Sequence, residues 1–235
     1  MKRVVRITMM SVVFVLLAAS VALAETYRCE VTNCPGTPED DTIFGNRLDQ
    51  NFFGEAGDDT LFGGAGVDTI EGNEGVDTIF GEAGDDTIFG GGFDDMIEGN
   101  EGDDTISGEG GEDTIEGNEG VDTIYGGSGD DFLYGQEGID IIFGGEGVDT
   151  IEGNEDDDRL NGEEGNDSVF GGAGNDRLND QAAQDRDTLE GQAGRDRLNG
   201  ADGDSRDVIQ GGRGNDICIG DRKDTFKGCE DERIR

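Results

Sequence analysis

An aliphatic residue returns every nine positions along most of this chain. Between residues 54 and 179 the sequence divides into fourteen unbroken nine-residue units, such as GEAGDDTLF (54–62), GGAGVDTIE (63–71) and GNEGVDTIF (72–80). With each unit numbered 1 to 9, position 8 is Leu, Ile or Val in all fourteen, from Leu61 to Leu178. Its neighbours at positions 7 and 9 are mostly Thr, an aromatic or a charged residue. An aliphatic side chain between two of opposite facing predicts a short strand of three residues at positions 7–9. Positions 1–6 are glycine-rich and acidic. Position 1 is Gly in every unit, and position 4 is Gly in twelve of fourteen, with Phe93 and Asp156 the exceptions. Glycine tolerates positive φ, so six such residues can reverse the chain in a tight arc.

Turn, strand, turn, strand brings the chain back above its start after eighteen residues. A fixed short period of this kind marks a solenoid. The expected fold is all-β: a parallel β-roll (β-solenoid) of nine-residue repeats, eighteen residues per coil, with two sheets whose position-8 residues meet in a thin core. Fourteen units make seven coils, about 34 Å at the usual strand spacing.

The charge pattern turns this architecture toward metal binding. Position 6 is Asp in all fourteen units: Asp59, Asp68, Asp77, Asp86, Asp95, Asp104, Asp113, Asp122, Asp131, Asp140, Asp149, Asp158, Asp167 and Asp176. Coiling stacks each over the Asp eighteen residues on, and carboxylates roughly 5 Å apart repel unless a cation lies between them. Turns that crowd carbonyl and carboxylate oxygens suit calcium, which accepts six to eight oxygens in flexible geometry, better than magnesium, which needs a strict octahedron. These residues resemble the haemolysin-type calcium-binding repeat of RTX (repeats-in-toxin) proteins, G-G-x-G-x-D-x-(aliphatic)-x. The resemblance is close over 54–179 and extends with irregularities over about 36–228. It implies calcium between successive turns, held by the fourteen position-6 Asp and by turn carbonyls. Position 2 departs from the pattern: only Gly64, Gly91, Gly127, Gly145 and Gly172 fit, and Asn, Glu or Gln fills the rest.

The flanks read as targeting and caps. Residues 1–24 carry Lys2, Arg3 and Arg6, an apolar run and an Ala22-Leu23-Ala24 ending, the pattern of a cleaved secretory signal. Residues 25–53 form an N-terminal cap and irregular first coil, in which Gln50 stands where Asp is expected. Residues 180–229 continue the roll irregularly, with eleven residues from Asp176 to Asp187 and again from Asp196 to Asp207, each carrying two extra residues as a turn bulge. Residues 230–235 are expected to fray as a tail. The four cysteines lie only in these flanks. Secretion permits disulfides, and an end-to-end bridge would have to span many coils, so Cys29–Cys34 and Cys218–Cys229 are the expected staples.

Composition narrows the function. The 235 residues are 32% hydrophobic and carry a formal charge of −40. Too little apolar mass is present for an ordinary globule of this size, whereas a solenoid needs less because each repeat contacts only its neighbours. Without the signal, 14 basic residues face 57 acidic ones, 14 − 57 = −43. Such a chain does not seek nucleic acid or insert into an anionic membrane. Residues 48–158 hold 34 acids and no Lys or Arg; from Arg159 onward twelve bases face eighteen acids. Arg159, Arg177 and Arg197 occupy position 7, and internal charge compensation is the favoured reading over a partner-binding face. The overall expectation is a secreted, monomeric calcium-binding module, at the cell surface or in the medium, with calcium-dependent folding and no catalytic activity. An adhesin or other interaction module, with a protein or glycan partner, is the alternative. An enzyme fits poorly: His, the commonest general base, is absent, and unbroken repeats leave no long loops from which to build a pocket. An ice-binding lattice would need flat ranks of Thr, which the bulky or charged residues at position 9 disrupt.

Overall fold

A computed structural model of the chain describes residues 25–180, 185–203 and 206–235. The signal expected over 1–24 lies outside the described residues, as does part of each insertion. The described residues form a parallel β-solenoid of about eleven turns without helix. One sheet begins with Thr26–Arg28 and Thr42–Asn46, the other with Asn33–Pro35 and Asn51–Ala56, and successive strands alternate between them. Every pairing is parallel, and over the regular repeats the register is eighteen residues: Ile79 pairs with Ile97, and Ile88 with Ile106.

The position-8 side chains do form the core. All fourteen, from Leu61 to Leu178, are fully buried, as are Ile43 and Phe52 before them and Leu189, Leu198, Ile209 and Cys218 after them. One aliphatic side chain per half-coil fills the gap because only two short strands face each other in each coil. Both disulfides are present, Cys29–Cys34 and Cys218–Cys229, and close opposite ends of this core. Outside it, position-9 aromatics stack in ladders: Phe44 on Phe62 at 4.7 Å, Phe62 on Phe80 at 5.0 Å, and Tyr125 on Phe143 at 5.2 Å between ring centroids.

The strands are longer than the expected three residues. A regular strand covers six, from position 7 through position 3 of the next unit, as in Thr60–Ala65 and Thr105–Gly110. Stacked coils are near copies, so backbone pairing persists around the bend that the pattern assigns to a turn. The bend itself lies at position 2, where every regular unit has positive φ whether or not the residue is glycine: Gly64 at 106°, Asn73 at 78°, Glu82 at 73°, Gln136 at 80°. Phe93 (φ 95°) and Asp156 (φ 75°) likewise adopt the conformation that glycine takes elsewhere at position 4. Such conformations cost of order 1–3 kcal/mol for a side-chain-bearing residue and persist where neighbours over-determine them.

The two insertions lengthen the step without breaking the register. Val169 pairs with Leu189 and Leu178 with Leu198, twenty residues on. The tail is not frayed: Asp231–Ile234 pairs with Ile217–Gly220 and closes its sheet. The Arg159, Arg177 and Arg197 side chains stand one above another on exposed positions of one sheet.

Because consecutive units alternate between two equivalent sheets, the nine-residue half-coil is the unit of the fold. Deleting residues 99–107 removes one half-coil and should leave a chain that still develops its β circular dichroism in calcium. Deleting residues 99–103 shifts the acidic and aliphatic positions out of step, and should give a chain that limited proteolysis cuts at the junction. Equal behaviour of the two would overturn this unit.

Candidate metal centre

The aspartate at position 6 ends each turn and precedes the buried aliphatic by two residues. Its backbone therefore enters the strand while its side chain turns back under the glycine at position 1. All fourteen predicted residues, Asp59 to Asp176, are at most 3% exposed. They line the two edges of the roll: Asp59, Asp77, Asp95, Asp113, Asp131, Asp149 and Asp167 on one, and Asp68, Asp86, Asp104, Asp122, Asp140, Asp158 and Asp176 on the other. The rows are longer than the regular repeats indicate. Asp41 extends the first, and Asp187, Asp196, Asp207 and Asp216 continue both into the irregular end, all buried. Their signal in the sequence is the same spacing from a core residue two positions on, aliphatic in each case but Asp216, where it is Cys218.

Within each row one carboxylate oxygen is tied to the backbone. The N–H of Asp59 donates to Asp77 Oδ1 at 2.8 Å, that of Asp68 to Asp86 Oδ1 at 2.7 Å, and that of Asp104 to Asp122 Oδ1 at 2.8 Å. The pattern repeats coil after coil to Asp196, whose N–H donates to Asp216 Oδ1. Gln50 fills the row in the first coil: its side-chain oxygen accepts from Asn46 N–H, and its amide donates to the Val31 carbonyl. Glu230 closes the other end, accepting from Asp216 N–H at 2.7 Å.

The second oxygen is different. Oδ2 of all fourteen aspartates is buried without a hydrogen-bond partner. It lies close to a backbone carbonyl: a Cβ placed on Gly63 would be 2.6 Å from the Gly81 carbonyl oxygen and 2.9 Å from Asp68 Oδ2. This explains why position 1 is always glycine. A buried anionic oxygen beside a carbonyl oxygen offers acceptors and no donor, and a hard cation is the group that satisfies both. The residues therefore fit calcium.

Burial dominates the titration of these groups. It raises the carboxyls of Asp68, Asp77, Asp131, Asp140, Asp167 and Asp176 to about 6, and that of Asp104 to about 7. Asp95, Asp158 and Asp187 reach about 8, where neighbouring aspartates add to the burial. The backbone N–H bond opposes the rise in each case. At position 5 the contrast is plain: Asp103 is exposed and accepts a single bond from Val121 N–H at 2.9 Å.

A pH dependence follows. The folded, metal-free roll binds these protons more tightly than the unfolded chain, whose carboxyls keep their ordinary value near 4. Its stability is therefore greatest below pH 4 and is lost as pH rises through the window from about 6 to about 8. In chelator, β dichroism should be stronger at pH 5 than at pH 8. With calcium the order should reverse, because protons and cations compete for the same oxygens. A chelated chain equally folded at both pH values would contradict the burial of these carboxyls.

No curated protein matches the chain in sequence. The RTX calcium-binding nonapeptide repeat (4 copies) matches in overlapping stretches that run from residue 35 to 178, then over 182–204 and 202–222. The repeat so matched is the one that builds both aspartate rows, and the chain belongs to the RTX calcium-binding repeat family.

Proposed function

We propose that this is a secreted, non-catalytic module in which the fourteen position-6 aspartates, Asp59 to Asp176, hold rows of calcium ions and couple folding to calcium. The observation that carries the reading is the Oδ2 atom, buried and unpartnered in every one of them. A chain with 34 acids and no base over residues 48–158 resists compaction by its own repulsion. A ligand that binds only the folded turns turns binding energy into folding energy. Extracellular modules bind calcium at about 10⁻⁴–10⁻³ M, so export would place the chain where folding becomes favourable. In support of a non-catalytic role, His, the commonest general base, is absent.

The test is far-UV dichroism of residues 25–235 against free calcium, with magnesium as control. At pH 8 a cooperative rise in β signal with calcium alone is expected, and a chelated chain with full β signal at that pH would defeat the reading. Asp104→Ala should shift the midpoint to higher calcium by on the order of tenfold, equivalent to about 1.4 kcal/mol. Asp103→Ala, which loses one exposed hydrogen bond, should shift it roughly twofold at most. Equal shifts would mean that position 6 is not the ligand position.

A second reading, an interaction module, is favoured by one observation. The tripeptide Arg-Leu-Asn recurs at 159–161, 177–179 and 197–199 in three stacked strands. Its arginines are exposed and, among the described residues, form no salt bridge. A groove of about 410 Å³ lies there, lined by Phe143, Arg159, Asn161 and Asn179. Guanidinium for carboxylate, amide for hydroxyl and an aromatic face for a sugar ring suit an acidic glycan. A uronic-acid polysaccharide should retard the calcium-loaded chain in affinity electrophoresis. The triple variant Arg159→Gln, Arg177→Gln, Arg197→Gln should abolish the retardation, and an unchanged mobility would end this reading.

A further inference from the structure

We propose that Asp180 completes a three-carboxylate calcium site with Asp167 and Asp187 that binds more tightly than the regular turns of the rows. The inference rests on the calcium reading above and adds to it a residue outside the repeat pattern.

Residue 180 follows Asn179 where each regular unit begins with glycine. Its N–H donates to the Asn199 carbonyl at 2.9 Å, and one coil later Gly200 N–H donates to the Ile219 carbonyl at 3.0 Å. Residues 180 and 200 therefore hold the same rung, each at the start of a two-residue insertion. Only the first carries a side chain. That side chain is fully buried and reaches back over Gly162, where an added Cβ would run into both Asp180 Oδ2 and Asp167 Oδ2. Carboxylate oxygens of Asp167, Asp180 and Asp187 lie within 4.8 Å of one another, the one place among the described residues where three metal-ligating side chains come so close.

Two further observations point to a ligand. Asp167 and Asp187 are 1% and 2% exposed, and Oδ2 of each has no hydrogen-bond partner. Their Oδ1 atoms are held by backbone N–H groups, Asp149 to Asp167 at 2.8 Å and Asp167 to Asp187 at 3.1 Å. The free oxygens are thus pre-aimed, and little ordering remains to be done on binding. The charge of Asp185 presses on both Asp167 and Asp187. Added ligand charge on a rigid frame is the means by which oxygen sites tighten their hold on calcium.

The experiment is a calcium-binding isotherm by equilibrium dialysis on the chain as secreted, with dichroism at saturating calcium as the folding check. The intact chain should hold one calcium at free concentrations about tenfold below the midpoint of the rest. D180G, which restores the residue the repeat carries, and D180N, which keeps the shape without the charge, should each lose that one equivalent and retain the remainder. D180N, being isosteric, decides the matter should D180G fail to fold. Survival of the tight equivalent in D180G and D180N would overturn the inference while leaving the rows intact. A chain that takes up no calcium at all would instead remove the reading on which it rests.

Discussion

Each coil depends on a carboxylate held where water does not reach it. One oxygen bonds the backbone of the coil before, and the other has only acceptors for company. The first contact ties neighbouring coils together at every turn, as in the Asp59 to Asp77 and Asp77 to Asp95 bonds. The second makes that tie expensive, because burying an ionised carboxylate without a counter-charge costs several kcal/mol. A proton or a cation must offset the cost, and the same atom therefore links assembly of the roll to what is dissolved around it. The aliphatic core alone is thin, one Ile or Leu per half-coil, so the outcome is decided in the aspartate rows.

The rows also discipline the backbone. Side chains at position 2 range from Gly through Asn to Glu, yet φ stays positive in each. A lone turn would relax such a residue. Here the carbonyl above and the N–H below are already committed to adjacent coils, so the conformation belongs to the stack more than to the residue. The consensus glycine at position 2 lowers a local cost without being needed for the path. At position 1 the constraint is of another kind, since a Cβ there would collide with Asp Oδ2 and a carbonyl, and glycine is found at that position in every regular unit.

Much of this was legible from the nine-residue period. The period set the two sheets and the core from Leu61 to Leu178, because each depends only on spacing, and the many coils between the ends left the cysteines to pair within each flank. Inward and outward are harder to read for a turn residue. Asp is ordinarily a surface residue, and nothing in the spacing says that its carboxyl folds beneath a glycine. The extra strand length was hidden for a related reason: pairing through the bend is a property of stacked copies, whereas the sequence shows one copy at a time. Asp180 escaped because the insertion after Asn179 interrupts the count on which the ligand assignment rested. The pairing of Asp231–Ile234 escaped because DERI has no aliphatic alternation to announce it.

That last strand has a bearing on how the molecule ends. A solenoid of near-identical coils presents at each terminus an unpaired edge already shaped to accept another coil, which is the geometry of fibre growth. The outermost strand of one sheet is Asp-Glu-Arg-Ile, exposed throughout, with Arg233 bonded to Asp231 on its surface. Any chain that tried to extend the sheet there would have to set its own strand against a closely spaced set of charges. A strand of two acids and an arginine thus stands where a strong apolar strand former would invite polymerisation.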